Sequence, residues 1–428
     1  MSFRNFFKNL GPGVITGASD DDPSGIATYS QAGAQFGINA LWFALFQYPL
    51  MTVIQEMCAR IGLVTGDGLG SAIKKQFSNK TVIPITTLLL VANTINIGVD
   101  IGAMAASAQL IIPQIPVFAI ALCFTGLIIG AEILMPYKKY VKILKYLTFS
   151  LFAYVITAVI VGGNPSQILI ATITPHVEFN SSFAMMFVAI FGTTISPYLF
   201  FWQASEEAEE DVAKNKISEV GSGRPKITKA ELKIMKSDVM IGMAFSQAIM
   251  WFIILTSANT LYQNGITNVT TAEEAAKALE PLVKTFPNAG TVSKIIFALG
   301  IIGTGLLAIP VLAGSSAYAL ADGFGWRQGL SKKFRQAKAF YLTIAVSTAI
   351  GLWIDFIDIN PITALIYAAV INGIVAVPML FVIMRIANNK MILGGKTNRK
   401  VSNILGWATF CLMSISTIIM ITLFVFQK

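Results

Sequence analysis

Residues 19–27 read SDDDPSGIA, placing three carboxylates, Asp20, Asp21 and Asp22, inside an otherwise apolar stretch. An acid at the centre of a membrane span costs at least ~2.5 kcal/mol, so three in a row call for a function. Pro23 cannot donate a hydrogen bond and pushes the residue before it out of the helical region. Aspartate is a favoured N-cap and proline a favoured first helical residue. Asp22-Pro23 therefore marks the end of one half-helix and the start of another, with Gly25 adding backbone freedom. The same grammar recurs at Ser196-Pro197 within IFGTTISPYLFFW. Half-helices that stop at such breaks end in unpaired carbonyls carrying partial negative charge, and the Asp22 carboxylate adds a full one. A site of that sign attracts a cation. Adjacent residues do not share a helix face, so Asp22 is expected to meet the ion, while Asp20 and Asp21 line the approach or touch its water shell.

The elements that hold these residues are membrane helices. The chain has 428 residues, 55% hydrophobic and 12% charged, whereas soluble domains carry about a quarter charged residues. Apolar runs long enough to cross a bilayer recur throughout, which defines an all-α polytopic membrane protein. Eleven spans are expected near 10–34, 38–61, 82–111, 115–135, 146–163, 183–211, 237–260, 290–320, 338–357, 361–388 and 402–426. Of the 31 Lys and Arg residues, 27 fall on the N-terminus and alternate loops, among them Lys138, Lys139, Lys142 and Lys145 after the fourth span. That bias implies a cytoplasmic N-terminus and an external C-terminus in a plasma membrane, of the bacterial inner-membrane kind. It also accounts for the net charge of +9. The bilayer is then the partner, with no nucleic acid and no obligate protein partner inferred.

Breaks at matching positions of the first and sixth spans describe a 5+5 inverted repeat of the LeuT type, with the site at the midplane. The repeats run over about 10–163 and 183–388, so a core of residues 1–388 is followed by residues 389–428, a cytoplasmic loop and an added eleventh span. The polar segment between spans 6 and 7 reads as helical pieces around a Gly-Ser-Gly-Arg-Pro turn, and TAEEAAKALEPLVKTF as an external helix. Cys58, Cys123 and Cys411 lie in apolar runs and are expected as buried thiols without disulfides. No phosphate loop or nucleophile constellation is present in the sequence, which argues against an enzyme and against a cofactor.

The motifs GPG…DP…QAGAQFG in span 1, ANTINIGVDIGAMAASAQL in span 3, IFGTTISPYLFFWQAS in span 6, SSAYALADGF in span 8 and INGIVAVP…NNKMILG in span 10 carry a resemblance. Together they resemble the natural-resistance-associated macrophage proteins, importers of divalent transition metals with protons. The family's DPGN motif reads here Asp22-Pro23-Ser24-Gly25, so its Asn is lost. Ser196 takes the place of the family's Met, Tyr198 and Gln203 the places of two histidines, and Asn372 that of a glutamine. This pattern resembles the NRAMP-related magnesium transporters. It implies uptake of partly hydrated Mg²⁺, with Mn²⁺ as a further cargo, and no proton coupling. The implied ion contacts are Asp22, Ser196, the Thr193 carbonyl, Gly25 and Asn372, with Asp20, Asp21, Ser24, Thr194, Tyr198 and Gln203 around them.

The substitutions make chemical sense for a hard ion. A thioether favours Mn or Fe over Mg, and Ser196 removes that preference. Mg²⁺ takes oxygen ligands and keeps several waters, and Gly25 and Ser196 each leave more room than Asn and Met. Proton relays in membranes use Asp, Glu and His. The single histidine, His176, falls in a loop, and the family's span-3 acids fall on Asn96 and Val99, although Glu56, Asp100 and Glu132 lie in spans. The alternatives are a proton-coupled Mn²⁺/Fe²⁺ importer, a cation-coupled amino-acid transporter, and a channel or metal sensor. Asp22 would repel an amino acid's carboxylate. Glu206, Glu207, Glu209, Glu210 and Asp211 end span 6 either as an acidic exit or as a solvated helix end. Asp355 and Asp358 sit near the outer end of span 9.

Overall fold

The computed structural model describes residues 11–134, 151–354 and 360–426, and among them every regular element is a helix. In chain order these are α1 (Pro12–Asp20), α2 (Pro23–Phe36), α3 (Trp42–Thr65), α4 (Leu69–Gln76), α5 (Asn79–Gln109), α6 (Val117–Leu134), α7 (Phe152–Val161), α8 (Pro165–Ile173) and α9 (Ser181–Thr194). There follow α10 (Pro197–Ala213), α11 (Lys229–Thr260), α12 (Ala272–Ala276), α13 (Ala289–Phe324), α14 (Lys338–Ile354), α15 (Pro361–Ala387), α16 (Lys390–Leu393) and α17 (Lys400–Phe426).

Both breaks fall where the dipeptides place them. Asp22 is the extended N-cap of α2, with Pro23 in its first turn, and Ser196 holds the same position before Pro197 of α10. Span 1 is thus α1 plus α2, and span 6 is α9 plus α10. A short 3₁₀ turn, Gly37–Ala40, then reverses the chain, so that α2 and α3 meet at 108° as successive spans. Gly37 has a φ of +58°, a left-handed value that favours glycine there. The expected fifth and ninth spans are described only over Phe152–Val161 and Lys338–Ile354. Arg4, Lys8, Lys138, Lys139, Lys142, Lys145, Asp355, Asp358 and Lys428 lie outside the described residues.

The packing is that of two interlocked repeats. The half-helix α2 lies along α11, the seventh span, and its counterpart α10 lies along α3, the second. Spans 3 and 8, α5 and α13, pair with each other. Glycines bring backbones into contact at these seams. A Cβ on Gly33 would overlap the Ile254 carbonyl, and one on Gly62 the Ala204 carbonyl, across the two equivalent pairs. On the other half of span 1, Gly17 and Gly242 oppose each other. Asp238 of α11 accepts from the N–H groups of Gly11 (2.9 Å) and Gly13 (2.7 Å), supplying the partners that the start of α1 lacks internally.

Several sequence expectations are corrected. Of the cysteines, which are free, only Cys58 is buried; Cys123 and Cys411 are exposed on the apolar surfaces of α6 and α17. An apolar run does not distinguish a core face from a lipid face, because both suit a thiol. The polar segment between spans 6 and 7 keeps its helical pieces, as the end of α10 and the start of α11, around the expected Gly221–Pro225 turn, but the irregular stretch is longer, over 214–228. The helix expected outside the membrane before span 8 is one turn of α-helix followed by a 3₁₀ stretch, Lys277–Val283, around Pro281. Two short helices, α4 and α8, add to the expected set. Lys332 bonds Glu219 at 2.7 Å, tying the 6–7 and 8–9 loops and holding that carboxyl below the usual range.

The seams predict that the same substitution costs far more at a glycine inside one than at a glycine outside. Gly242→Ala brings a Cβ within 2.7 Å of the Gly13 carbonyl carbon and should destabilise the detergent-solubilised protein by about 1–3 kcal/mol in thermal unfolding. Gly126→Ala enters open space and should stay within about 0.5 kcal/mol of the parent. Equal midpoints for the two variants would rule out the α1–α11 contact.

Candidate functional site

Asp22 is 1% exposed, and protein donors surround its carboxylate. Oδ1 accepts from the Ser24 hydroxyl at 2.6 Å and the Gly25 N–H at 2.7 Å, which is the N-cap geometry of α2. Oδ2 accepts from the Asn96 amide at 3.1 Å and faces the Tyr198 hydroxyl at 3.4 Å. Tyr198 also donates to the Ser19 carbonyl at 3.1 Å, one of the acceptors left over at the end of α1. A phenol has a single hydrogen, so these two acceptors compete for it. Through this residue α10 reaches the break in span 1.

Asn96 extends the network to two further spans. Its amide nitrogen also reaches Asp100 Oδ2 at 3.3 Å, and its oxygen accepts from Asn372 Nδ2 at 3.3 Å. Spans 1, 3 and 10 therefore meet on one amide, whose two hydrogens serve two carboxylates. Asp100 Oδ1 and Asn372 Oδ1 are buried without a protein hydrogen-bond partner. Buried polar atoms of this kind ask for a ligand or water, and all are oxygens.

The second break contributes hydroxyls and carbonyls. Ser196 occupies the N-cap position, but its hydroxyl makes no capping bond. It turns back to the carbonyls of Gly192 (2.5 Å) and Thr193 (2.7 Å), which share its one hydrogen at the end of α9. Thr193 Oγ1 lies 3.2 Å from the Tyr29 hydroxyl of α2, which joins the two breaks a second time. Gly25 is helical, so the freedom expected of it goes unused; what matters is space. A Cβ there would stand 3.2 Å from the Asp20 carbonyl and 3.3 Å from the Tyr29 ring.

The remaining candidates divide. Thr194 bonds Gln47 and faces span 2 rather than Asp22. Gln203 accepts from Thr16 at 2.6 Å and donates to Glu207 at 3.0 Å, further along the α1–α10 contact. Asp20 receives the Ser246 hydroxyl of span 7. Both Asp21 oxygens are buried and meet no protein donor. Among the other acids, Glu56 is paired with Arg60 at 3.2 Å. Glu209 accepts from Tyr318 (2.6 Å) and the Leu330 N–H (2.7 Å), while Glu210 and Asp211 pair with Lys214 (3.2 Å) and Lys216 (3.0 Å). Those three are paired structural links at a helix end that is not the solvated one expected, since Asp211 and Glu207 are buried. Tyr29 and Ser246 join the site without a signal in the sequence, whereas Asn96 stands where the family carries a span-3 acid.

A carboxylate between two broken helices, in two repeats that exchange partners, defines the architecture of an inverted-repeat transporter of the LeuT type. Residues 13–423 match the natural resistance-associated macrophage protein-like family, Nramp, and the chain belongs to that family. A divalent metal cation transporter, MntH, of Mycobacterium leprae is 23% identical over 97% of this chain and 91% of its own length. Among solved structures, a manganese transporter of Eremococcus coleocola superposes with a TM-score of 0.72 at 15% identity, covering 98% of this chain and 88% of that one. The nucleobase-cation-symport transporter Mhp1 shares the fold more distantly, with a TM-score of 0.54 at 11% identity over 96% and 92% of the two chains.

If the Asn96 amide holds these spans together, Asn96→Leu strands Asp22, Asp100 and Asn372 together. The expected cost is about 2 kcal/mol in thermal unfolding of the purified protein. An unchanged midpoint would show that the amide is not shared.

Proposed function

We propose that this protein carries a hard divalent cation, Mg²⁺, across the membrane by alternating access, partly hydrated and without a coupled proton. On this reading it belongs to the magnesium-transporting branch of its family, and Mn²⁺ is a second cargo that the same oxygens accept. The observation that carries the reading is the donor set. The network around Asp22 is built from carboxylate, hydroxyl, amide and peptide oxygen, and the second break adds the Ser196 hydroxyl and Thr193 carbonyl, with neither thioether nor imidazole in these hydrogen bonds. Oxygen donors suit Mg²⁺, and the absence of a soft ligand removes the bonding preference for Mn or Fe. The names of the curated relatives support a divalent cargo.

Asp22 supplies the charge, and Ser196, the Thr193 carbonyl and Asn372 the neutral oxygens. Gly25, lacking a side chain, lets the Asp20 carbonyl and the Tyr29 ring close in on the start of α2 and offers the ion no amide of its own. Ser24 and Tyr198 orient the carboxylate, while Asp20 and Asp21 attract the hydrated ion along the approach. The one histidine, His176, is exposed in a loop beside Glu178, at 3.7 Å, which supports transport without a proton relay. A doubly charged ion gains about 4.6 kcal/mol per 100 mV of inside-negative potential, enough to drive uptake alone. The basic loops then face the cytoplasm. Residues 1–388 form the transport core, and α17 is an addition to it.

Flux into proteoliposomes with a lumenal pH probe tests the reading. Mg²⁺ should enter without acidifying the lumen, and Asp22→Ala should cut the flux by at least about tenfold, the loss of a charged ligand. Lumenal acidification in step with metal entry would point to the proton-coupled alternative. A strong preference for Mn²⁺ over Mg²⁺ would overturn the cargo. Gly25→Asn should lower Mg²⁺ flux more than Mn²⁺ flux, because it crowds the Asp20 carbonyl and the Tyr29 ring and adds an amide at the break. Equal losses for both ions would mean that the missing side chain at Gly25 does not favour Mg²⁺.

A further inference from the structure

A cavity of about 580 Å³ lies far from Asp22, between the end of α15 and the first turns of α17. Gln76, Met384, Arg385, Asn389, Asn403 and Trp407 line it. Backbone groups settle how its amides point. Asn389 Oδ1 accepts the Met391 N–H at 2.8 Å, so its NH₂ turns to Gln76, whose oxygen must receive it at 3.2 Å. Asn388 donates to the Met384 carbonyl at 2.8 Å, so the 2.7 Å contact with Asn403 also falls on an oxygen, which Asn398 shares at 3.0 Å. The oxygens of Gln76, Asn389 and Asn403 are thus consumed by neighbours.

What these residues leave unused are donors. The amide NH₂ groups of Gln76 and Asn403, the Trp407 indole N–H and the whole Arg385 guanidinium make no hydrogen bond among the described residues. Arginine offers five N–H donors and no acceptor, in a fork that matches a phosphate. Asn403 also sits in the first turn of α17, where the helix presents its partial positive end. At the end of α15 the Met384 carbonyl, which would oppose an anion, is covered by Asn388.

The flank of the cavity is apolar. Phe381, one turn before Arg385 on α15, is 40% exposed and meets the Trp407 ring of α17 at 6.1 Å between centroids. That is the setting of a membrane–water boundary, where Trp gathers and basic pockets between spans take lipid headgroups. We propose that this cavity binds the phosphodiester headgroup of an anionic phospholipid, with an acyl chain along α17. The adjoining apolar face favours a lipid over free phosphate.

Phosphatidylglycerol and phosphatidylcholine can be titrated into the purified full-length protein and bound lipid counted by native mass spectrometry. Phosphatidylglycerol should be retained in preference, and Arg385→Gln should weaken it by about tenfold, the value of a charge-assisted bond. Asn403→Asp keeps the oxygen used by Asn388 and Asn398 but exchanges a donor for a negative charge, and should weaken retention as much. Lys333→Gln, on another basic loop, should leave it unchanged. Equal retention of both lipids, or full retention in Arg385→Gln and Asn403→Asp, would overturn the proposal. Displacement by inorganic phosphate alone would also overturn it, assigning the cavity to a soluble anion.

Discussion

A negative charge buried in a membrane protein has to be answered, and the bond set of Asp22 is the answer on which this structure turns. Four of its contacts come from three different spans, and each exists because a helix has been interrupted or an amide placed in an apolar run. The break in span 1 exposes the N–H of Gly25 to the carboxylate. The break in span 6 frees carbonyls that Ser196 partly covers. Neither interruption would be tolerated in lipid, where backbone groups must be satisfied. Both are tolerated here because protein surrounds them on every side.

The second requirement is that such a site sit where the two repeats meet. The repeats exchange partners, α2 with α11 and α10 with α3, so each broken span is held by the opposite half. The carboxylate network crosses that division at Tyr198, and Tyr29 crosses it again at Thr193. A bound ion would therefore feel both repeats at once. Coupling of site to fold does not require a long pathway when the two halves share hydrogen bonds at the site itself.

The two interruptions were legible because they are local. Proline, aspartate and serine have strong positional preferences that need no knowledge of neighbours, and the helix ends fell at Asp20, Pro23, Thr194 and Pro197. Asn96 was not legible in its role. It lies 74 residues from Asp22 and 276 from Asn372, and only the tertiary register brings one amide between two carboxylates. Rotamers were equally hidden. Ser196 has the residue type of a cap and turns its hydroxyl the other way, while Thr194 and Gln203 lie on the faces that look toward span 2 and α1. The exposed Cys123 and Cys411 show the remaining ambiguity, since hydrophobicity alone does not tell protein from lipid. Hydrogen-bonded amides around Arg385 could be oriented only once the backbone groups that fix them were seen.

The nine residues of α1 form a short lever with one free joint, the interruption at Asp21 and Asp22. Its far end is bolted by Asp238 through two amide hydrogens, and along its length Gly17 rides directly on the main chain at Gly242. With no layer of side chains between them, these two surfaces cannot slide by small rotamer adjustments. Swinging the lever outward must either draw the bolt or carry the adjoining part of α11 along. The same two amide bonds thus tie the start of span 1 to the body of the opposite repeat.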